Sequence, residues 1–229
     1  PLAKPIRMDT DTTGSRTSYE KIIQNFENKK HNILIGTQMV SKGLDFGGVD
    51  TVGIMNADSL MSFPDFRAHE RAFQLMEQVA GRAGRRVGQE GEVLIQCSEP
   101  KHPLLQQVIS HDYESMAEMQ LDDRKKYFYP PFSRLIVIYM KGRYEDRVNA
   151  LAQRYASILR QAFGDRILGP EAPSISRIKN MYIKQIMLKI EREASTSMVR
   201  QYLNNIQSKM AHDDPEFAKI VFYYDVGPV

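Results

Sequence analysis

The sequence predicts an α/β domain built on a parallel sheet, followed by a small α+β domain. Three observations lead to this prediction. Short apolar runs typical of buried strands alternate with helical patterns as far as Cys97, which is the arrangement of a parallel sheet covered by helices. The run Tyr129-Pro130-Pro131-Phe132 then interrupts the pattern, because proline lacks an amide donor and restricts the residue before it. After it the order is strand, helix, strand, strand, helix, strand, which is typical of a split βαβ sandwich.

The composition excludes several classes of protein. The chain has 229 residues, of which 42% are hydrophobic and 26% are charged, so disordered, collagen-like and coiled-coil chains are ruled out. Its single cysteine, Cys97, supports neither an internal disulfide nor a zinc site made of cysteines, and we interpret it as a core residue. No run of about 18 apolar residues is present to span a membrane. The sequence starts at Pro1 rather than at a methionine, so we expect a piece of a longer protein.

The length allows two small domains, and we predict residues 1–128 as the first and residues 129–229 as the second. Strands of the first domain are predicted at Pro5–Met8, Asn32–Gly36, Thr51–Met55 and Glu92–Cys97. Its helices are predicted at Ser15–Lys30, at Phe66–Ala80, from His102 onward and at Tyr113–Lys126. Candidate N-caps for the first of these helices are Asp11-Thr12-Thr13.

The second domain is predicted to carry two helices and four strands. Its strands and connections are predicted as a strand at Leu135–Met140, a crossover starting at Ile167-Leu168-Gly169-Pro170, a hairpin of Ser174–Ile178 and Tyr182–Ile190 across Lys179-Asn180, and a last strand at Ala218–Tyr224. Its helices are predicted at Glu145–Phe163 and Ser195–Met210, where apolar residues recur at helical spacing.

Charge is distributed unevenly between the two domains. The net charge of +3 divides into 16 basic and 18 acidic residues before Tyr129, and 15 basic and 10 acidic residues from there on. A mild basic surplus is compatible with a nucleic-acid or acidic-peptide partner, and equally with a neutral function. Candidates for a basic face on the hairpin are Arg177, Lys179, Lys184, Lys189 and Arg192. Arg177 and Lys179 are two residues apart, which on a strand places them on one side, although a solvated face is an equal alternative.

An aromatic cluster lies at the predicted domain junction. It consists of Tyr127, Phe128, Tyr129 and Phe132. Such rings could stack nucleic-acid bases, but we favour a core at the junction.

The first candidate for chemistry follows a predicted strand, at Gly36–Phe46. Chain that leaves the carboxyl end of a parallel strand is where α/β sheets bind ligands. Thr37, Ser41 and the glycine amides can donate to phosphate oxygens and Lys42 adds positive charge, while Asp45 could accept from a ribose hydroxyl. A capped helix start with a turn at Gly43 is the alternative.

The second candidate is Gln78–Arg85, which reads Q-x-x-G-R-x-G-R. Its two arginines, Arg82 and Arg85, are separated by glycine and can present planar guanidinium groups to one anion. Arginine is the usual donor to the charge that develops when a γ-phosphate leaves. A solvated basic turn is the alternative, but five fixed positions match a helicase pattern.

These two segments resemble motifs V and VI of superfamily-two helicases, in the right order. The residues between and after them are similar to those of the PriA family of bacterial primosomal replication-restart helicases. The segments that carry this resemblance are Asn56-Ala57-Asp58, Pro64–Arg71, Gln74-Leu75, Gly91–Gln96, His102–Leu105, Tyr129–Phe132 and Asp225–Pro228. The resemblance implies that the first domain is a RecA-like helicase lobe.

The resemblance also implies roles for particular residues. Arg82 and Arg85 correspond to the motif VI arginines, Arg85 being our candidate for the γ-phosphate contact. Gln78 would link that motif to the nucleotide or to the other lobe. The implied nucleotide-binding residues are Gly43, Asp45 and Gly81. The implied DNA-binding residues are Thr37, Gln38 and Lys42, to which we add Arg177 and Lys179.

The implied function is that of the C-terminal half of an ATP-dependent 3′→5′ DNA helicase of replication restart. The sequence contains no phosphate loop and no acidic box for Mg²⁺, so we expect ATP and Mg²⁺ to be bound mainly by an absent lobe. Zinc is expected in an absent insertion. We therefore expect this piece to be inactive alone and to bind no cofactor tightly. Expected partners are single-stranded and forked DNA, single-stranded DNA-binding protein and primosome proteins, in the bacterial cytoplasm at the nucleoid, with no membrane contact. The alternatives are a non-catalytic DNA- or protein-binding adaptor and another superfamily-two translocase.

Overall fold

The computed structural model describes residues 2–9, 11–37, 46, 48–84 and 90–227. The chain divides into two compact units, Pro1–Gln120 and Leu121–Val229. This division lies ahead of the domain boundary that we place after Phe128, and that boundary stays a prediction.

The described part of the first unit contains two pairs of parallel strands. β1 (Pro5–Met8) pairs with β2 (Ile33–Gly36), and β3 (Thr51–Ile54) pairs with β4 (Glu92–Ile95). The helices among the described residues are α1 (Arg16–Glu27), α2 (Ala57–Met61), α3 (Ala68–Ala80), α4 (Pro103–Ile109) and α5 (Tyr113–Lys126), of which α5 runs across the division between the units. The predicted parallel pairing with flanking helices is confirmed.

The predicted N-caps of α1 are wrong. The cap is Ser15, whose hydroxyl oxygen accepts a hydrogen bond from the Ser18 amide at 3.1 Å. The earlier residues form a closed turn instead, in which the Thr13 amide donates to the Asp9 carbonyl at 2.9 Å. Serine and threonine serve equally well in turns and as caps, so the sequence alone does not separate the two roles.

Helix α2 is absent from our prediction because five residues are too few for a periodic apolar signal. Its start is defined by Asn56, which adopts a left-handed conformation (φ 56°) and accepts from the Ser59 amide at 3.2 Å. Helix α3, in contrast, has the predicted apolar stripe. Its residues Ala68, Ala72, Phe73 and Met76 are buried, and the last three belong to a core shared with α4 and Met116.

The second unit is one sheet covered on one face by two helices. Its elements are β5 (Ser133–Gly142), α6 (Glu145–Phe163), β6 (Ile167–Glu171), β7 (Arg177–Ile178), β8 (Met181–Glu191), α7 (Thr196–Asp213) and β9 (Val221–Val226). The strand order is β6-β8-β5-β9 with antiparallel neighbours, and β7 pairs with β8. This is the predicted split βαβ arrangement.

Alternation along the central strands decides which face meets the helices. Ile136, Ile138 and Met140 of β5 are buried in one core with Tyr155 of α6 and Leu203 of α7. Side chains one position out of phase point to the opposite face, which we call the open face; Leu135, Val137 and Lys189 on it are buried, whereas Tyr223 is exposed.

The segment that begins at Ile167 is a strand, β6, and not the crossover that we predict. It pairs with β8, and its register shifts at a bulge between Leu168 and Glu171. The bulge contains Gly169 and Pro170, two residues that usually mark a break but that a bulge accommodates. A side chain at Gly169 would place its Cβ 2.9 Å from the Gln185 carbonyl oxygen, and the φ of Gly169 is +88°, so glycine is required there.

Candidate functional site

The segment from Gly81 to Gly84, which we call the arginine turn, follows α3 directly. Gly81 ends the helix by donating from its amide to the Glu77 carbonyl at 3.0 Å. The Arg82 amide donates to the Val79 carbonyl at 3.0 Å, so the chain continues to curl after the helix. Gly84 has a φ of +65° and donates to the Val49 carbonyl at 3.0 Å. The turn is therefore fixed at both ends, to α3 and to the chain that leads into β3.

The arginine turn packs closely against Gly91, just before β4. A methyl group at Gly91 would lie 2.7 Å from the Ala83 Cβ and against the amide nitrogen of Gly84. No side chain fits there without displacing backbone atoms. Gly91, a residue of the family signature, thus allows the close packing of the turn that contains Arg82.

Arg82 is half-buried in this turn, and Gln78 is exposed one helical turn earlier. Gln78 also lines a groove of about 370 Å³ between α2 and α3, together with Leu60, Phe63 and Leu75. The lining of the groove is mostly apolar. The structure therefore places Gln78, Gly81 and Arg82 in one stretch, whereas Arg85 lies outside the described residues.

Thr37, the first residue of the motif V candidate, follows the carboxyl end of β2 and is exposed. Gln38, Lys42, Gly43 and Asp45 lie outside the described residues, so their roles stay predictions.

Asp9 is a neighbour of this site that our sequence interpretation missed. It follows Met8, which pairs with Gly36, so Asp9 and Thr37 leave the same edge of the strand pair. The Thr12 amide donates to its carboxylate at 3.0 Å, and this hydrogen bond holds the pKa of Asp9 below its ordinary value. The signal that could have found it is a carboxylate directly after a predicted parallel strand.

Two acidic residues of the family signature have structural roles. Asp58 of α2 accepts from both the amide and the hydroxyl of Ser98, at 2.9 and 2.7 Å, and so holds the chain after β4. Asp65 accepts from the Arg67 amide at 2.9 Å and from the Arg71 guanidinium at 2.7 Å, ahead of and within α3. These contacts position the helix that carries Gln78.

In the second unit, Arg177 and Lys179 lie on an exposed hairpin formed by β7, the turn and the start of β8. Lys179 and Asn180 have positive φ values of 47° and 61°, so Lys179 belongs to the turn. Our expectation that strand alternation places it beside Arg177 is therefore wrong. The Arg177 guanidinium donates to the Asn180 side chain at 3.0 Å and lies 5.0 Å from the centre of the Tyr182 ring. Whether either residue binds DNA stays a prediction.

Lys189 does not belong to a basic face. Its side chain is buried, and its Nζ atom donates to the Tyr127 carbonyl at 2.7 Å and lies 3.5 Å from the centre of the Tyr129 ring. Burial lowers the pKa of Lys189. Lys189 thus ties the Tyr129 ring and the Tyr127 backbone to the C-terminal sheet.

Neither a metal cluster nor a membrane-spanning helix appears in the part of the chain that the structure describes. There, no three histidine, cysteine or acidic side chains converge as metal ligands would. No helix in the same part combines the length and the apolar character needed to cross a membrane.

Comparison with known families matches both units. Residues 7–87 match the helicase conserved C-terminal domain, and residues 125–229 match the primosomal protein N C-terminal domain. The chain is therefore a RecA-like helicase lobe followed by a small C-terminal domain of the primosomal protein N type.

Individual relatives agree with this class. The chain is 38% identical over 216 residues to the replication restart protein PriA of Bacillus subtilis, 39% over 187 residues to that of Synechocystis, and 33% over 227 residues to that of Borreliella burgdorferi. The matched regions cover 91%, 80% and 97% of this chain but only 27%, 22% and 33% of the respective relatives. The chain is thus related to a portion of the replication restart proteins named PriA.

Proposed function

We propose that this chain forms part of an ATP-dependent DNA helicase that restarts replication, and that it contributes the second RecA-like lobe and the C-terminal domain. The match of residues 7–87 to a helicase domain supports this proposal, because the Gln78–Arg85 segment lies inside the matched region. The relatives are replication restart proteins in name, and the helicase activity belongs to the whole protein.

The arginine turn is proposed to serve an ATP site that this lobe shares with another. Arg82 and Arg85 would donate to the γ-phosphate, where negative charge develops as the bond to the β-phosphate breaks. A fixed turn suits this task, since a guanidinium that is already positioned loses less entropy when it contacts the phosphate. Gln78 would face the nucleotide or the other lobe, and Gly81 would allow close approach of the backbone.

The nucleotide and its metal ion would be held mainly elsewhere. The sequence has no phosphate loop to hold the β-phosphate, so ATP and Mg²⁺ are expected to depend on another lobe, with Gly43 and Asp45 contributing from this side. The single cysteine does not suit a zinc site within this chain.

Single-stranded DNA is proposed to run past the carboxyl end of β2. Thr37, Gln38 and Lys42 would contact its phosphates, as hydroxyl, amide and ammonium groups commonly do. In the second unit, exposed Arg177 and Lys179 would add a further contact. The 3′→5′ polarity, forked DNA, single-stranded DNA-binding protein, primosome partners and action at the bacterial nucleoid are proposed from the resemblance alone.

ATP hydrolysis by the purified chain tests whether it is incomplete. We expect no hydrolysis above background, with or without single-stranded DNA. Appreciable turnover that disappears in an Arg85→Ala variant would contradict the proposal that another lobe is required.

DNA binding separates the helicase from a protein-binding adaptor. The affinity of the chain for labelled single-stranded DNA should fall steeply between low and moderate salt, because phosphate contacts release counterions. The Arg177→Ala and Lys179→Ala variants should each reduce the salt slope. Salt-insensitive binding would favour a protein-binding adaptor instead.

A further inference from the structure

The open face of the second unit carries a pair of stacked tyrosine rings. Tyr139 of β5 lies directly opposite Tyr223 of β9, and both are out of phase with Ile138 and Met140, which face the helices. The ring centroids are 4.4 Å apart and the planes differ by 12°. We call these two residues the tyrosine pair.

The tyrosine pair remains accessible. Tyr223 is 41% exposed and Tyr139 is half-buried. Partial burial raises the pKa of both hydroxyl groups, and the Asp225 carboxylate raises that of Tyr223 further, so both rings stay neutral at physiological pH. Of the residues that share this face on β5 and β8, Leu135, Val137 and Ile183 are buried, whereas the two rings are partly exposed. Stacked aromatic rings at such a position indicate a surface for planar ligands.

A cation accompanies the rings. The Lys141 Nζ atom lies 4.4 Å from the centre of the Tyr223 ring. Lys141 is two residues from Tyr139 on β5 and therefore shares the open face. Asp225, two residues from Tyr223, lies on the same face at the other side of the pair. The face is therefore positive at one end of the tyrosine pair and negative at the other.

We propose that the tyrosine pair is a stacking site for the bases of single-stranded DNA, with Lys141 contacting a phosphate. This inference rests on the proposed function, because that function supplies the ligand. Stacked aromatic rings beside a cation suit a flexible strand, which offers a planar base and a phosphate in each nucleotide. The charge gradient would orient the strand, its phosphates on the Lys141 side and away from Asp225. The basic surplus of residues 129–229 agrees with an anionic ligand.

This site is separate from the hairpin. Arg177 pairs with Tyr182 of β8, which is in phase with the buried Ile186 and so belongs to the face that carries the helices. The tyrosine pair and Arg177 therefore occupy opposite faces of the sheet. A substitution in the tyrosine pair can therefore be tested without removing the Arg177 contact, and the reverse also holds.

Binding of a fluorescein-labelled oligothymidine to the 229-residue chain, followed by anisotropy, tests the assignment. Tyr223→Leu should weaken binding about fivefold or more and leave the salt slope unchanged, since no phosphate contact is removed. Tyr223→Phe should bind like the parent. The matched control is Tyr144→Leu, which removes an exposed tyrosine elsewhere in the unit and should have no effect. Equal affinity of Tyr223→Leu and the parent would overturn the stacking site alone, whereas a parent that does not bind would overturn the DNA proposal as well.

A fluorescence experiment locates the contact independently. The sequence has no tryptophan, so a Tyr223→Trp variant carries one fluorophore at the site, and stacking of a base should quench its emission. The same substitution at Tyr144 should give no quenching. Unchanged emission of the Tyr223→Trp variant at saturating DNA would overturn the proposal. The proposal would also be overturned if a proline-rich peptide quenched the emission and the oligonucleotide did not.

Discussion

The side-chain nitrogen of Lys189 donates a hydrogen bond to the backbone carbonyl of Tyr127, 2.7 Å away. This contact joins the middle of the C-terminal sheet to the segment that precedes its first strand. The contact also removes the charged Lys189 side chain from solvent. This loss of hydration disfavours the charged form and lowers the pKa of Lys189.

Replacing Lys189 by methionine keeps most of the volume but removes the donor and the cation beside Tyr129. We expect the free energy of unfolding to fall by about 1 kcal/mol, since the hydrogen bond and the ring contact are both lost. Urea unfolding followed by circular dichroism measures the change. The control Lys184→Met, on the same strand, should change the free energy of unfolding little. If Lys189→Met is instead more stable than the parent, burial of the charge costs more than its contacts contribute.

Gly91→Ala should destabilise the first unit by about 1–3 kcal/mol, because the added methyl group meets the backbone of the arginine turn. Gly53→Ala is the matched control, since nothing lies within 4 Å of the Cβ position there. The two variants are compared by their urea midpoints. If Gly91→Ala unfolds at the midpoint of the Gly53→Ala variant, the close packing described here is incorrect.

Glu216 should make the second unit sensitive to acid. Lys219 donates to its carboxylate at 2.5 Å and Arg147 of α6 pairs with it. The hydrogen bond from Lys219, followed by the nearby positive charge, holds the pKa of Glu216 below its ordinary value of 4.5. A lowered folded-state pKa gives stability that is present above that value and lost as the pH falls through the folded-state pKa.

Glu216→Gln should therefore lower the Tm at neutral pH and flatten its decline on acidification. Thermal unfolding of the parent and the variant from neutral pH to below pH 4.5 measures the difference, with exposed Glu193→Gln as the control. Parallel Tm curves for the parent and Glu216→Gln would exclude the expected linkage.

Local patterns explain which parts of the fold were predictable. The apolar stripe of α3 repeats at helical spacing and β5 is a continuous apolar run from Leu135 to Met140, so the sequence alone predicts both elements. Helix α2 and strand β6 were missed because one depends on a single capping residue, Asn56, and the other on a bulge around Gly169.

The site was less predictable because its contacts join distant residues. The motif arginines are recognisable from spacing, but the burial of Lys189 depends on a carbonyl 62 residues away. The tyrosine pair depends on the register between β5 and β9, which no local pattern specifies. The roles of Thr37, Arg82 and the other candidate residues remain predictions.

DNA-stimulated ATP hydrolysis by the full-length protein tests the central claim most directly. If this lobe supplies arginines to the γ-phosphate, Arg85→Ala should lower kcat about a thousandfold or more, and Arg82→Ala should also lower it, while affinity for single-stranded DNA is retained. Arg16→Ala, on the exposed face of α1, should leave kcat unchanged. Parental turnover in both Arg82→Ala and Arg85→Ala would contradict the account.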